Sequence, residues 1–257
     1  MTRMPTHCCI AVAFATACIA PSHANANARR ELADVYAAGS QRLLYREEHL
    51  VQPGAAPERW VLYRCPDGKP FARKRVAGGG MRPDFAFEDA RDGYREGVRA
   101  AGDARQVYVR QSGKEASRRV PVPADGVIDA GFDAAVRTHW AALLRGRDVM
   151  LQFLVPSRKQ FFPVQVRRVG SIDWHGIPAE RLRMKLDTWF GFAVPEVTLV
   201  YARGDRRLLE FNGTGNVRDA RGRNPQVRIA FQPSAQVASN SDLAGIARLP
   251  LDGRCTF

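Results

Sequence analysis

The sequence predicts a mainly β protein of the α+β class: a curved antiparallel sheet or incomplete β-barrel of about a dozen short strands, with one prominent helix against the concave face. Three observations carry this. Short segments of alternating apolar and polar residues recur along the chain, separated by turns drawn from 22 Gly and 16 Pro. Only the stretch from Asp129 to Arg145 repeats with a helical period. Strands do not alternate regularly with helices, which excludes a doubly wound parallel sheet. With 45% hydrophobic residues the chain can fill a core, so wholesale disorder is excluded as well.

The elements follow in order. Residues 29–40 read as a short helix or arm, and Leu43 to Val51 as the first strand. Trp60 to Cys65 and Pro70 to Val76 flank Pro66-Asp67-Gly68-Lys69, where Pro presets φ and Gly accepts a positive one, so they form a hairpin. Asp84 to Ala90 and Tyr94 to Arg99 make a second hairpin around Arg91-Asp92-Gly93, and Gln106 to Gln111 adds a strand. In the helix, Phe132, Val136, Trp140, Leu143 and Leu144 share one face, Asp129 stands at the N-cap and Gly146 follows the last periodic residue. Strands then run from Val149 to Val155, Phe161 to Val169, Ala179 to Leu186, Glu196 to Tyr201, Leu208 to Asn212 and Gln226 to Phe231. The tail from Gln232 is rich in Ser, Asn and Ala and is expected to be loosely held. No linker interrupts residues 27–257, which read as a single β-rich domain.

The first 26 residues read as a signal peptide. Arg3 precedes the charge-free run Cys8 to Ala20, and Ala24-Asn25-Ala26 offers small residues at −3 and −1. Cleavage after Ala28 fits nearly as well, and Ala15-Thr16-Ala17-Cys18 offers the variant of a membrane-anchored lipoprotein at Cys18. The expected location is therefore exported and periplasmic. Removing this segment leaves Cys65 and Cys255, and two cysteines in an oxidising compartment are expected to form a disulfide.

The formal net charge is +13, yet only five of the 39 basic residues are lysines, and beyond the signal segment the arginines spread from Arg29 to Arg254. That distribution describes solvated strand faces, with attraction to an anionic membrane surface as a second reading. It lacks the concentrated patch of a nucleic-acid binder, and export argues against that role. No cofactor is expected. Gly78-Gly79-Gly80 lacks the rest of a phosphate loop, and Gly213-Thr214-Gly215 lacks a third glycine and a following helix. His49, His139 and His175 are scattered without metal-ligand spacing, so no metal is expected either. Glu47 and His49 share a strand face and read first as a surface ion pair, or alternatively as an acid–base pair.

The most distinctive stretch is Trp189-Phe190-Gly191-Phe192-Ala193-Val194-Pro195, an apolar aromatic segment. It leads to Glu196–Tyr201, Leu208–Gly213, Asn216-Val217-Arg218-Asp219 and Gln226–Phe231. Together with the signal segment, these residues resemble a group of uncharacterised exported proteins of Gram-negative bacteria. More remotely, the order strand–helix–strand is similar to periplasmic lipoprotein carriers of the LolA and LolB type. That resemblance implies an incomplete antiparallel barrel with helices over a lipid-binding cavity. The resulting expectation is a non-enzymatic periplasmic protein that binds an acyl chain, lipid or lipidated partner in the half-barrel, lined by Phe85, Phe87, Trp140, Phe153, Phe161, Trp189, Phe190 and Phe192. The alternatives are a structural or docking envelope protein, or an envelope hydrolase using Glu47 and His49.

Overall fold

A computed structural model describes residues 28–187 and 196–257, together with Met1. The rest of the expected signal segment, Cys18 included, lies outside the described residues, as do Trp189, Phe190 and Phe192. The chain begins as a meander of β1 (Ala28–Ala37), β2 (Leu43–Gln52), β3 (Glu58–Arg64), β4 (Pro70–Ala77), β5 (Asp84–Asp89), β6 (Tyr94–Ala101), β7 (Ala104–Gln111) and β8 (Lys114–Pro121). The two-residue β9 (Gly126–Val127) leads into helix α1 (Gly131–Leu144). A second meander follows: β10 (Val149–Val155), β11 (Gln160–Trp174), β12 (Ile177–Leu186), β13 (Val197–Ala202), β14 (Leu208–Thr214) and β15 (Gln226–Phe231). β16 (Gln236–Ala238) and the short α2 (Asn240–Ile246) come last.

All sixteen strands belong to one sheet, in the order β8-β7-β6-β5-β4-β3-β2-β1-β15-β14-β13-β12-β11-β10-β9, with β16 added on β1. Every pairing is antiparallel except that of β9 with β10. The two edge strands, β8 and β9, are consecutive in the chain. The sheet therefore curves until its ends are separated by one short connection, without closing into a barrel.

Residues 29–40, expected as a helix or arm, form β1 instead. The segment lies at the middle of the sheet order, with Val35 opposite Tyr45 on one side and Ile229 on the other. Ladder bonds on both sides outweigh the mild helix preference of its Ala, Arg and Glu residues. β8, with the polar sequence KEASRRVP, is a strand that alternation did not reveal, because its first six residues are all exposed.

The interior has two parts. Tyr45, Tyr63, Phe71, Phe85 and Phe87 of β2–β5 pack with Val98, Val107, Leu154 and Phe161. α1 lies against the second half of the sheet, where Phe132, Val136, Trp140 and Leu143 meet Leu151, Val166, Leu182 and Leu199. The helix differs from its expected form in two places. Leu144 faces outward, 38% exposed. Asp129 is not the cap: it adopts a positive φ of 46° and receives a 2.8 Å bond from the Lys74 ammonium. The helix starts at Gly131, where a Cβ would collide with the Met81 carbonyl. It ends in a Schellman motif: Gly146 N–H bonds Leu143 O (2.9 Å) and Arg147 N–H bonds Ala142 O (3.0 Å). Gly146 supplies the required left-handed residue, with φ +76°.

The tail from Gln232, expected to be loosely held, is tied down at three points. β16 pairs with the start of β1, Ala28 opposite Ala238. α2 carries a reciprocal cap between Ser239 and Asp242 and packs Leu243 and Ile246 on Leu50 and Leu62. The final residues return to the first half of the sheet. Cys255 forms a disulfide with Cys65, Cα–Cα 5.6 Å, and the Phe257 ring lies 5.3 Å from that of Tyr45. Among the described residues, no helix is long and apolar enough to cross a membrane.

Candidate functional site

Among the described residues, most of the side chains expected to surround a ligand are core residues. Phe85 and Phe87 are buried, and Phe87 meets Tyr63 edge-on at 5.5 Å. Trp140 is buried beneath α1, with the Arg206 guanidinium 5.8 Å from its ring centre. Phe153 is half-buried and packs on Phe132 at 6.3 Å. Phe85 and Phe87 belong to one packed cluster with Ile128, Leu154, Val217 and Phe257, and Trp140 to another with Phe132, Val136 and Leu199. Phe161 differs, because it belongs to the first cluster and also lines an open cleft.

Glu47 and His49 are brought together, though not at the surface. Both are buried on the inner face of β2, with His49 Nε2 at 2.8 Å from Glu47 Oε2 and the imidazole 5.2 Å from the Phe231 ring. Neither residue lines either of the two clefts described below. Several other buried polar groups are paired, although the Tyr45 hydroxyl and His49 Nδ1 have no hydrogen-bond partner among the described residues. Tyr94 OH donates to Glu96 (2.7 Å), Tyr201 OH donates to Asp133 (2.8 Å) and Asn216 donates to Tyr63 OH (2.8 Å). Burial pushes the Glu96 carboxyl above the ordinary range. Burial also acts to raise the Glu180 carboxyl, but hydrogen bonds from Arg168, Arg203 and Ser171 outweigh it and hold the group below the ordinary range. Among the described residues, no three His, Cys, Asp or Glu side chains come together as a metal set.

The open space lies at the seam between the sheet's two ends. β10 and β11 are joined by a 3-10 turn, Pro156–Arg158, whose tip rests against β6 and β7. Lys159 closes that turn in a left-handed conformation, φ +50°, its N–H bonded to Pro156 O at 2.9 Å. Across from it runs the edge strand β8. A cleft of ≈ 460 Å³ is lined by Arg118, Val120 and Pro121 of β8, by Pro123, and by Gln152, Lys159, Gln160 and Phe161. A second, of ≈ 370 Å³, is lined by Lys114 and Ala116 of β8 with Tyr94, Val109, Ser157, Lys159 and Arg218 among others. Lys159 belongs to both. These volumes fall in the range of about 300–1,000 Å³ found for small-molecule sites.

Over the sheet many arginines are neutralised in place, as in Arg46–Asp34 (3.1 Å), Arg64–Glu48 (2.8 Å) and Arg167–Asp148 (2.5 Å), whereas others, Arg99, Arg110 and Arg181 among them, have no acidic partner among the described residues. Lys114, Arg118 and Lys159 have no acidic partner within ion-pair distance among the described residues. Arg218 is paired with Asp92 and lies 4.2 Å from the Tyr94 ring centre. The seam residues escaped the sequence reading because an exposed edge strand shows no alternation. The one available signal was the placement of two of the scarce lysines, Lys114 and Lys159, around a Pro-rich connection.

No protein-family model matches the chain, and no curated protein matches it in sequence. Among solved structures it is similar to a β-barrel-like protein of the domain of unknown function DUF1849 from Brucella abortus. The TM-score is 0.50 and the identity 8%, over 83% of this chain and 98% of that one. A DUF1329 family protein from Desulfovibrio piger ATCC 29098 aligns at a TM-score of 0.26 and 8% identity, over 83% of this chain and 86% of that one. The first likeness is one of fold alone, and the score of the second supports no conclusion.

Proposed function

We propose that this is an exported, non-enzymatic envelope protein that binds an acyl chain, a lipid or a lipidated partner, and that the apolar part of the ligand lies at the seam rather than inside the curve of the sheet. One observation carries this reading: the ≈ 460 Å³ cleft joins an apolar wall of Val120, Pro121, Pro123 and Phe161 to polar groups at its rim. Each alkyl methylene buried against such a wall contributes roughly 0.8 kcal/mol. Export is supported by the charge-free segment before Ala26 and by the disulfide, a bond suited to an oxidising compartment.

Titration calorimetry with alkyl compounds below their micelle concentration tests the reading. Saturable one-to-one binding is expected, weakened about tenfold or more by Pro121→Asp, which places a carboxylate in the apolar wall at an exposed position. Absence of saturable binding for every alkyl compound would remove the reading. The alternative, a docking protein, is favoured by a separate observation: β8 is an unpaired edge whose first six residues are exposed, the arrangement that accepts an added strand.

A further inference from the structure

We infer that the ligand of the seam is an anionic amphiphile, a single alkyl chain ending in a carboxylate or phosphate, with its head group held by Lys114, Arg118 and Lys159. The inference rests on the proposed alkyl-binding role and adds the chemistry of the head group.

The geometry comes from the period of the strand. Successive side chains of β8 point to opposite faces, so Lys114, Ala116, Arg118 and Val120 share one face and Glu115, Ser117 and Arg119 the other. The cleft-lining residues of β8 up to Val120 are those even-numbered ones: Lys114 and Ala116 in one cleft, Arg118 and Val120 in the other. The two clefts are therefore successive stretches of one trough along β8, with Lys159 on the opposite wall of both. From Lys114 to Val120 an extended strand covers about 20 Å, room for an alkyl chain and its head group.

The trough is graded. Its Val120 end is apolar, walled by Phe161, Pro121 and Pro123. Its Lys114 end is cationic, with Lys159, the Ser157 hydroxyl and the Asn224 amide nearby. Glu115, the acid on this strand, lies on the other face, and Arg119 there is already matched by Asp103 at 2.9 Å. A carboxylate or phosphate satisfies the unneutralised cations by charge-assisted hydrogen bonds, whereas a neutral head leaves them as they are and a cationic one is repelled.

The test compares dodecanoate, dodecyl phosphate, dodecyl maltoside and inorganic phosphate on the disulfide-intact protein by titration calorimetry. Dodecanoate or dodecyl phosphate should bind at least about tenfold more tightly than dodecyl maltoside. The double variant Arg118→Gln, Lys159→Gln should abolish that preference. Added salt should reduce it in the unsubstituted protein. The stronger of the two anions identifies whether a fatty acid or a phosphate-headed lipid is the better fit. Equal affinity for the neutral and anionic compounds would overturn the head-group inference and leave alkyl binding standing. Failure of all dodecyl compounds would overturn the underlying reading. Inorganic phosphate binding as tightly as dodecyl phosphate would overturn the amphiphile in favour of a simple anion site.

Discussion

Arg91 ties the C-terminus to the sheet through several contacts at once. Its guanidinium donates to both Asp89 oxygens, at 2.7 Å and 3.0 Å among others, and to the carbonyls of Arg218 (2.8 Å) and Cys255 (3.2 Å). It also lies 4.3 Å from the Phe71 ring centre and 4.7 Å from that of Phe257. Removing it leaves Asp89 as a buried carboxylate without its partner, so Arg91→Ala should cost about 3–5 kcal/mol in urea unfolding. The neighbouring Cys65–Cys255 bridge spans 190 residues, and on the chain-entropy argument its reduction should cost up to about 5 kcal/mol. Unchanged unfolding midpoints in the reduced protein would contradict that. Two carboxyls should respond to pH in opposite senses. The raised Glu96 stabilises the fold fully below the unfolded value of about 4.3, and that contribution is lost as pH rises through its higher folded value. Glu96→Gln should therefore raise stability at pH 7. The lowered Glu180 contributes above about pH 4.3, and its contribution is lost as pH falls through its folded value. Glu180→Gln should lower stability at pH 7 and matter progressively less in acid. Urea midpoints in the reverse order at pH 7 would contradict both assignments.

At the scale of elements, α1 separates a packed face from a free one. Trp140→Ala should cost about 3–5 kcal/mol, since the ring is buried against the second half of the sheet. Leu144→Ala, on the outward face, should stay within about 0.5 kcal/mol. Equal losses would mean that the helix is rotated from the orientation described. The helix and most strands were legible because each buries one face, and burial writes its period into the sequence. β1 is not legible as a strand because Arg-Arg-Glu-Leu-Ala-Asp suits a helix locally, and only its two ladder partners make it a strand. β8 was unreadable for the opposite reason: an edge strand exposed along most of its length has no buried face to mark. Asp129 looked like a cap because short acidic residues favour helix starts, but its side chain is engaged by Lys74 from β4 instead. The order of the tail depends on a bridge to a residue 190 positions away, beyond the reach of local composition.

Over the whole molecule, the sheet begins and ends on chain-adjacent strands and stays open there, while Phe85, Phe87 and Trp140 are buried in the clusters packed on it. Of the expected ligand-lining aromatics, Phe161 alone among those described lines one of the two clefts, because it stands where β11 meets the seam. The rest of the candidate site, Arg118, Lys159 and the two prolines, became visible only when curvature set distant segments face to face. The barrel-like fold shared with the Brucella abortus protein agrees with an open sheet and carries no ligand with it. Hydrogen exchange of the protein with and without dodecyl phosphate tests most directly whether ligand enters at the seam, as proposed. Slowed exchange confined to residues 114–121 and 156–161, with β3, β4 and β5 unchanged, is the predicted result. Slowed exchange along β3, β4 and β5 without any at the seam, or no change anywhere at saturating dodecyl phosphate, would contradict it.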